Sequence, residues 1–264
     1  MSTEFTFMPD HQRQVVPVDK WVRVFFGGQA IADSRRPLLL LSSERTPVYL
    51  FPLDDVRQAA LARSDYAEAA PARGAAGLGP ASYWHVQAGG RTAENAARQY
   101  AQAPAEQARL RDHIALEWNL MDAWFEEGEQ VYAHPADPFH RIDVRHSSRH
   151  VRVVIAGQTV AETRQPVLLF ETGLPTRYYL PKTDVRLDLL APSAKETWCA
   201  YKGKASHHSF QIGDQLVKDI AWSYPFPNPE FSKIQGLISF YNERLDEFYV
   251  DEAPVARAQT PWSS

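Results

Sequence analysis

Cysteine is almost absent from this chain of 264 residues, in which Cys199 is the only one. A single thiol excludes an intrachain disulfide and any zinc or iron–sulfur site held by several cysteines. A strong charge of either sign is absent too, because the net charge is −4 and the pI is about 6.1. Such a chain has no basic footprint for nucleic acid, so we expect no nucleic-acid partner.

Long apolar segments are also missing. The longest aliphatic run, at residues 38–41, is far shorter than the roughly 20 residues that span a bilayer. Residues 1–20 lack the basic cap and apolar centre of a secretory signal. We therefore expect a cytoplasmic protein with no membrane partner. Its 44% hydrophobic and 12% aromatic residues indicate a folded chain.

The most informative feature that is present is an internal repeat. Residues 22–37 resemble residues 151–166 at an offset of 129, and later segments match at an offset of 124. The extra residues of the first copy fall in an alanine-rich stretch at 67–76, where we expect a loop. The sequence thus predicts two copies of one unit, in domains 1–136 and 137–264, each of ordinary domain size.

Each copy has the pattern of an antiparallel β-domain. Apolar residues alternate with polar ones in residues 22–26, and Gly27-Gly28 predicts a tight hairpin turn after them. At the end of each copy, in 110–124 and 228–248, apolar residues recur at helical spacing. We therefore predict a mainly β chain with some α structure (α+β), with each copy closed by a C-terminal amphipathic helix.

Four motifs of the second copy carry a family resemblance. They are Gly-Gln-Thr-Val-Ala-Glu-Thr-Arg at 157–164, Tyr-Tyr-Leu-Pro at 178–181, Cys-Ala-Tyr-Lys-Gly-Lys-Ala-Ser at 199–206 and Ile-Ala-Trp-Ser-Tyr-Pro at 220–225. Together they resemble domain of unknown function family 427, sometimes labelled nucleotidyltransferase-like. The resemblance covers nearly the whole chain, once per copy. It implies two tandem β-tent-like domains, in which two sheets meet at an angle, and it implies no particular reaction.

Nucleotidyl transfer is not favoured by the residues. An enzyme of the polymerase type needs a Gly-Ser turn and paired aspartates that hold two magnesium ions. The chain has no Gly-Ser, and its adjacent Asp54 and Asp55 would point to opposite faces of a strand. A GxxxxGK[ST] phosphate loop is also missing from the sequence.

The densest group of chemically active residues lies between Cys199 and His208. Lys202 would favour the thiolate form of a nearby cysteine, and His207 or His208 could act as a base. The candidate catalytic residues are therefore Cys199, Lys202 and His207. In the alternative interpretation, Cys199 is a small buried residue in a strand.

A second group could bind a ligand. Trp222 and Tyr224 would share one strand face and form a stacking wall, or else pack in the core. Arg164, which Arg35 matches in the first copy, could hold a carboxylate or form a salt bridge with Asp219. The candidate ligand-binding residues are Arg164, Tyr201, Ser206, Asp219, Trp222 and Tyr224.

The first copy keeps Tyr83-Trp84 but departs from two of these motifs. It has Ala-Ala-Gly-Leu-Gly at 75–79 in place of the Cys-x-Tyr-Lys-Gly segment and Arg-Gln-Tyr at 98–100 in place of Trp-Ser-Tyr, so we expect it to be a degenerate, mainly structural copy. Histidines 146 and 150 have i, i+4 spacing, but the following strand pattern argues against a helical metal site. No metal and no cofactor are expected.

Two functional hypotheses follow. The first is a small-molecule binding pocket, or a cofactor-independent enzymatic pocket, in the second copy. The alternative is a non-catalytic scaffold or protein-interaction module. By analogy with symmetric dimers of single units, we expect a monomer of two pseudo-symmetric domains or a weak homodimer.

Overall fold

The protein consists mainly of antiparallel β-strands. The computed structural model of the protein describes residues 14–42, 45–68 and 77–260. The chain divides into two compact units, a first unit at Asp10–Asp137 and a second at Pro138–Ser264. Most of the predicted alanine-rich loop, from 69 to 76, lies outside the described residues. Among the described residues, no helix is long and apolar enough to cross a membrane.

The described part of the first unit forms two antiparallel sheets. One sheet has the strand order β1-β4-β5-β9-β8-β7-β6, and the other has the order β11-β10-β2-β3. The strands are β1 (Gln14–Pro17), β2 (Val22–Phe26), β3 (Gln29–Ser34), β4 (Leu38–Ser42), β5 (Arg45–Pro52), β6 (Leu61–Ser64), β7 (Ser82–Ala88), β8 (Arg91–Gln99), β9 (His113–Leu116), β10 (Ala123–Glu126) and β11 (Glu129–Val131). Short 3-10 helices cover Leu53–Asp55, Gln58–Ala60, Ala105–Asp112 and Trp118–Leu120.

The predicted hairpin after β2 is confirmed. Gly27 and Gly28 have φ angles of 56° and 73°, a left-handed conformation that glycine adopts without strain. Gly27 also packs directly on a second turn, since a Cβ atom there would lie 2.2 Å from the carbonyl oxygen of Ala88. The two turns therefore fit against each other only because Gly27 lacks a side chain.

The second unit repeats this arrangement. One sheet has the order β12-β15-β16-β21-β20-β19-β17, with β18 also paired to β19, and the other has the order β14-β13-β22-β23. The strands are β12 (Ile142–His146), β13 (Val151–Ile155), β14 (Gln158–Thr163), β15 (Val167–Glu171), β16 (Arg177–Leu180), β17 (Leu190–Ala191), β18 (Glu196–Cys199), β19 (Gly203–Ile212), β20 (Gln215–Ser223), β21 (Ile238–Phe240), β22 (Glu247–Val250) and β23 (Ala253–Pro254). Its 3-10 helices are Lys182–Asp184, Leu187–Leu189, Pro229–Ile234 and Asn242–Arg244.

The prediction of a closing amphipathic helix in each copy was wrong. The described residues contain no α-helix, and residues 228–248 alternate between 3-10 helices and the strands β21 and β22. Ile238 and Phe240 are buried because β21 pairs with β16 and β20, and Gly236 has a φ of 69° just before it. Cross-strand pairing thus decided the structure, and the apolar spacing matched a helix only because turns separate the short strands.

Apolar clusters lie on both faces of the larger sheet in the second unit. One cluster joins Leu180, Phe210 and Ile220 to Val153 and Phe248 of the smaller sheet. A separate cluster on the opposite face contains Val144, Leu169, Tyr179, Ala205, Trp222, Tyr224 and Ile234. Of the predicted site residues, Trp222 and Tyr224 lie in this second cluster and Cys199 packs against it.

Candidate functional site

A row of paired residues crosses the larger sheet of the second unit. His207 pairs with Trp222, Trp222 with Ser239, and Ser239 with Tyr179. Paired residues of antiparallel strands point to the same face, so these four side chains lie side by side. The indole nitrogen of Trp222 donates to the Tyr179 hydroxyl at 3.2 Å, and its ring lies 4.5 Å from that of Tyr241.

Trp222 and Tyr224 are packed as core residues. They are 7% and 5% exposed, and burial raises the pKa of the Tyr224 hydroxyl well above its ordinary value. The ring of Tyr224 contacts that of Tyr179 at a centroid distance of 6.5 Å. Cys199 is half-buried and packs against the same cluster. The rings of Trp222 and Tyr224 are therefore buried in the apolar cluster and are not open to stack on a ligand.

His207 contacts a threonine of the strand that ends at Cys199. Its Nε2 atom lies 2.9 Å from the hydroxyl of Thr197, two residues before Cys199 on the same strand. Burial, reinforced by the charge of Lys195, lowers the pKa of His207 to about 4. The imidazole is therefore neutral at neutral pH. Its buried Nδ1 atom has no hydrogen-bond partner among the residues that the structure describes.

Lys202 belongs to a buried ionic cluster. Its ammonium group contacts one carboxylate oxygen of Glu171, and His140 Nε2 donates to the other at 3.0 Å. The side chains of Lys202, Glu171 and His140 are only 8%, 6% and 14% exposed. The ring of Tyr201 stacks on His140 at a centroid distance of 4.4 Å. Tyr201 and Lys202 are thus brought together around His140.

The charge state of this cluster follows from its contacts. Burial alone would raise the pKa of Glu171, but the hydrogen bond from His140 and the charge of Lys202 outweigh it and hold that pKa below its ordinary value. Glu171 is therefore ionised at neutral pH. A buried carboxylate is stable only with such partners, so Lys202 and His140 hold it in a fixed position.

An open cleft of about 580 Å³ adjoins His140. Its polar rim has three basic side chains, Arg141, Arg145 and Lys233, against the two carboxylates of Asp143 and Glu230. The lining residues are Pro138, Phe139, His140, Arg141, Ile142, Asp143, Val144, Arg145, Glu230, Phe231 and Lys233. The rim therefore has a small excess of positive charge.

The nine predicted site residues are not among those that line this cleft, although Tyr201 stacks on His140. Arg164 is exposed, and the expected salt bridge to Asp219 is not formed. Asp219 instead accepts a hydrogen bond from Ser193 at 2.6 Å and lies 4.0 Å from Lys195. Ser206 precedes His207 on β19 and so points to the opposite face of the sheet.

Sequence reasoning missed His140 and Glu171. Glu171 ends a strongly apolar strand, where a lone acid was an available signal, and His140 lies in the segment that joins the copies. The two residues meet because β12 pairs with β15, which aligns Ile142 with Glu171. That pairing between distant segments has no local sequence pattern. Among the described residues, no group of three His, Cys, Asp or Glu side chains could hold a metal ion.

Comparison with protein families gives one finding. The model described as "Domain of unknown function (DUF427)" matches residues 14–127 and, a second time, residues 143–251. The chain therefore belongs to this family and is a tandem duplication of its domain. No curated protein sequence matches the chain.

Proposed function

We propose that this tandem DUF427 protein binds a small molecule in its second unit, in the cleft beside His140. The observation that carries the proposal is the buried Lys202–Glu171–His140 cluster, whose member His140 lines that cleft. Charged side chains are costly to bury unless each has a well-placed partner. Groups whose pKa is shifted by such surroundings often mark functional sites. The cleft volume of about 580 Å³ is in the range of small-molecule sites.

Each part of the site has a distinct role in this proposal. Glu171 orients the ring of His140, and Tyr201 covers one face of it. Lys202 compensates the charge of Glu171. The excess of basic side chains at the rim favours a ligand with an acidic group. We expect Nδ1 of His140, the ring nitrogen that does not contact Glu171, to make the specific contact.

A cofactor-independent enzymatic version of the proposal adds Cys199 as the nucleophile and neutral His207 as the base. The contact of His207 with Thr197 argues for the simpler binding function, because its Nε2 atom is engaged with a hydroxyl rather than with the thiol. Labelling of Cys199 with a thiol reagent separates the two versions. The enzymatic version requires faster labelling in the folded protein than in the denatured chain.

The proposal assigns the pocket to the second copy alone. Ser42 and Leu78 occupy the positions that correspond to Glu171 and Lys202, so the first copy cannot form the cluster. This difference supports domain 1–136 as the degenerate copy and domain 137–264 as the motif-retaining copy. The presence of two sheets around a shared apolar core in each unit supports a β-tent-like architecture.

The proposal is tested by isothermal titration calorimetry with citrate and with inorganic phosphate. We expect saturable binding of at least one of the two anions, and a loss of at least tenfold in affinity in His140→Ala. The matched control is Lys218→Met, which removes an exposed lysine of β20 and should bind as the original protein does. Failure of both anions to bind, or equal binding in His140→Ala, would overturn the proposal.

The alternative function, a protein-interaction module, is favoured by a different observation. Phe226 is 83% exposed and Trp198 is 46% exposed. Both lie near Gly203, which bridges to Pro227 and pairs with Cys199 beside Trp198. Sedimentation equilibrium of the original chain and of Phe226→Ala tests this function. Self-association that Phe226→Ala abolishes would favour the module, whereas a monomer in both would remove its support.

A further inference from the structure

The same place in the two units is filled in different ways. In the second unit, Arg177 donates two hydrogen bonds to Glu243, at 2.6 and 2.8 Å, and both residues are at least 95% buried. The hydroxyl of Thr260 donates to the same carboxylate at 2.8 Å. This ion pair occupies the space between β16 and the 3-10 helix Asn242–Arg244.

The first unit has no such ion pair at the corresponding positions. By the repeat offsets, Val48 corresponds to Arg177 and Asn119 corresponds to Glu243. Both replacements are shorter and uncharged, and a cleft of about 360 Å³ lies there. It is lined by Thr46, Pro47, Val48, Tyr49, Leu116, Glu117, Trp118, Asn119, Leu120, Trp124, His134 and Pro135.

Aromatic rings form one wall of this cleft. Trp118 and Trp124 are stacked at a centroid distance of 4.4 Å with an angle of 13° between their planes. The indole nitrogen of Trp124 donates to the carbonyl oxygen of Trp118 at 3.1 Å, which fixes the pair. Tyr49 also stacks on Trp124, with a distance of 6.5 Å between the ring centroids. Trp118 is half-buried, so part of its ring borders the cleft.

Acceptor atoms of His134 and Glu117 line the cleft, together with the polar side chains of Thr46 and Asn119. His134 Nδ1 lies 2.8 Å from the carbonyl oxygen of Pro135, which can only accept, so this nitrogen carries the proton. In the neutral form of an imidazole whose Nδ1 carries the proton, Nε2 is an acceptor. Glu117 offers carboxylate oxygens, and its charge is compensated by the buried Arg98. The cleft therefore combines an aromatic wall, acceptor atoms and little net charge.

We propose that the first unit binds a planar heteroaromatic molecule with N–H donors, such as a free nucleobase, in this cleft. Its ring stacks beside Trp118 and its N–H groups donate to His134 and Glu117. The volume of about 360 Å³ accommodates one bicyclic ring system. This site is separate from the one proposed in the second unit, so the first copy has a binding role of its own.

The test is titration with adenine, followed by tryptophan fluorescence and by calorimetry. We expect saturable quenching, and an affinity at least tenfold lower in Trp118→Leu because the stacking contact is lost. The double variant Val48→Arg/Asn119→Glu recreates the ion pair of the second unit and should abolish binding by filling the cleft. The control Gln215→Arg/Leu216→Glu adds the same charges at exposed sites of the second unit and should bind adenine normally.

Three results would overturn this inference. They are no saturable binding of adenine, unchanged affinity in Trp118→Leu, and equal affinity for cyclohexylamine, which lacks an aromatic ring. Circular dichroism checks that each variant is folded. If the double variant does not fold, the affinity of Trp118→Leu for adenine decides the proposal. Citrate and phosphate binding to the second unit is measured in the same variants, so failure of one site is distinguishable from failure of the other.

Discussion

The buried ion pair of the second unit gives the sharpest prediction about stability. Glu243→Gln would leave the guanidinium of Arg177, with its side chain 6% exposed, without its charged partner. Breaking a buried pair by removing one partner costs about 3–5 kcal/mol. Cation–π contacts of Arg177 with Trp222 and Tyr241 remain in the variant, so we expect the lower half of that range, about 3–4 kcal/mol.

Removing both partners should cost less than removing one. Arg177→Val/Glu243→Asn installs the residues found at the corresponding positions of the first unit, and no unpaired charge is left. We expect a loss at least about 1 kcal/mol smaller than that of Glu243→Gln. Urea unfolding at pH 7, followed by far-UV circular dichroism, measures both losses. A loss below about 1 kcal/mol in Glu243→Gln, or a larger loss in the double variant, would refute the reasoning.

Four further predictions concern other sites. Lys202→Met should destabilise the second unit by about 3 kcal/mol in urea unfolding, because Glu171 stays buried with one partner fewer; a loss near zero would contradict the buried geometry. The pKa of Glu171 is lowered in the folded state, so its ionised form contributes to the free energy of unfolding above the unfolded pKa of about 4.3. This contribution disappears as the pH falls through the lower folded pKa, and urea unfolding at pH 7 and at pH 3 measures the difference. The pKa of His207 is lowered to about 4, so its protonation favours unfolding as the pH falls from about 6.5 toward 4; an NMR titration midpoint near 6.5 would contradict its burial. Gly27→Ala should cost more than the roughly 1 kcal/mol expected at neighbouring Gly28, because its Cβ atom meets the backbone of Ala88.

Much of the fold was predictable because it depends on local patterns. The hairpin at Gly27-Gly28 follows from residues that are adjacent in sequence, and the duplication follows from matched segments. The closing helices were not predictable in this way. Residues 228–248 have an apolar spacing that fits a helix, and only pairing with β16 and β20 makes Ile238 and Phe240 strand residues.

The candidate site was predictable only in part. The segment with Tyr201 and Lys202 stood out because it holds several reactive side chains in a few residues. Their partners Glu171 and His140 lie 31 and 62 residues before Lys202 in the chain, and only strand pairing places them together. Arg164, by contrast, was predicted as a binding residue because Arg35 matches it in the first copy. In the structure its side chain is exposed at a turn.

The different positions of the buried ion pairs bear on how a duplicated chain folds. In the first unit the pair is Arg98–Glu117, whereas the second unit has Trp222 and Tyr241 at those positions and places its own pair at Arg177–Glu243. If β8 were inserted into the second unit in place of β20, Arg98 would face Tyr241, which offers no carboxylate, and Glu243 is already paired with Arg177. Such a mispaired state carries the penalty of an uncompensated buried ion, several kcal/mol. The different positions of the two charge pairs thus penalise an exchange of strands between the copies.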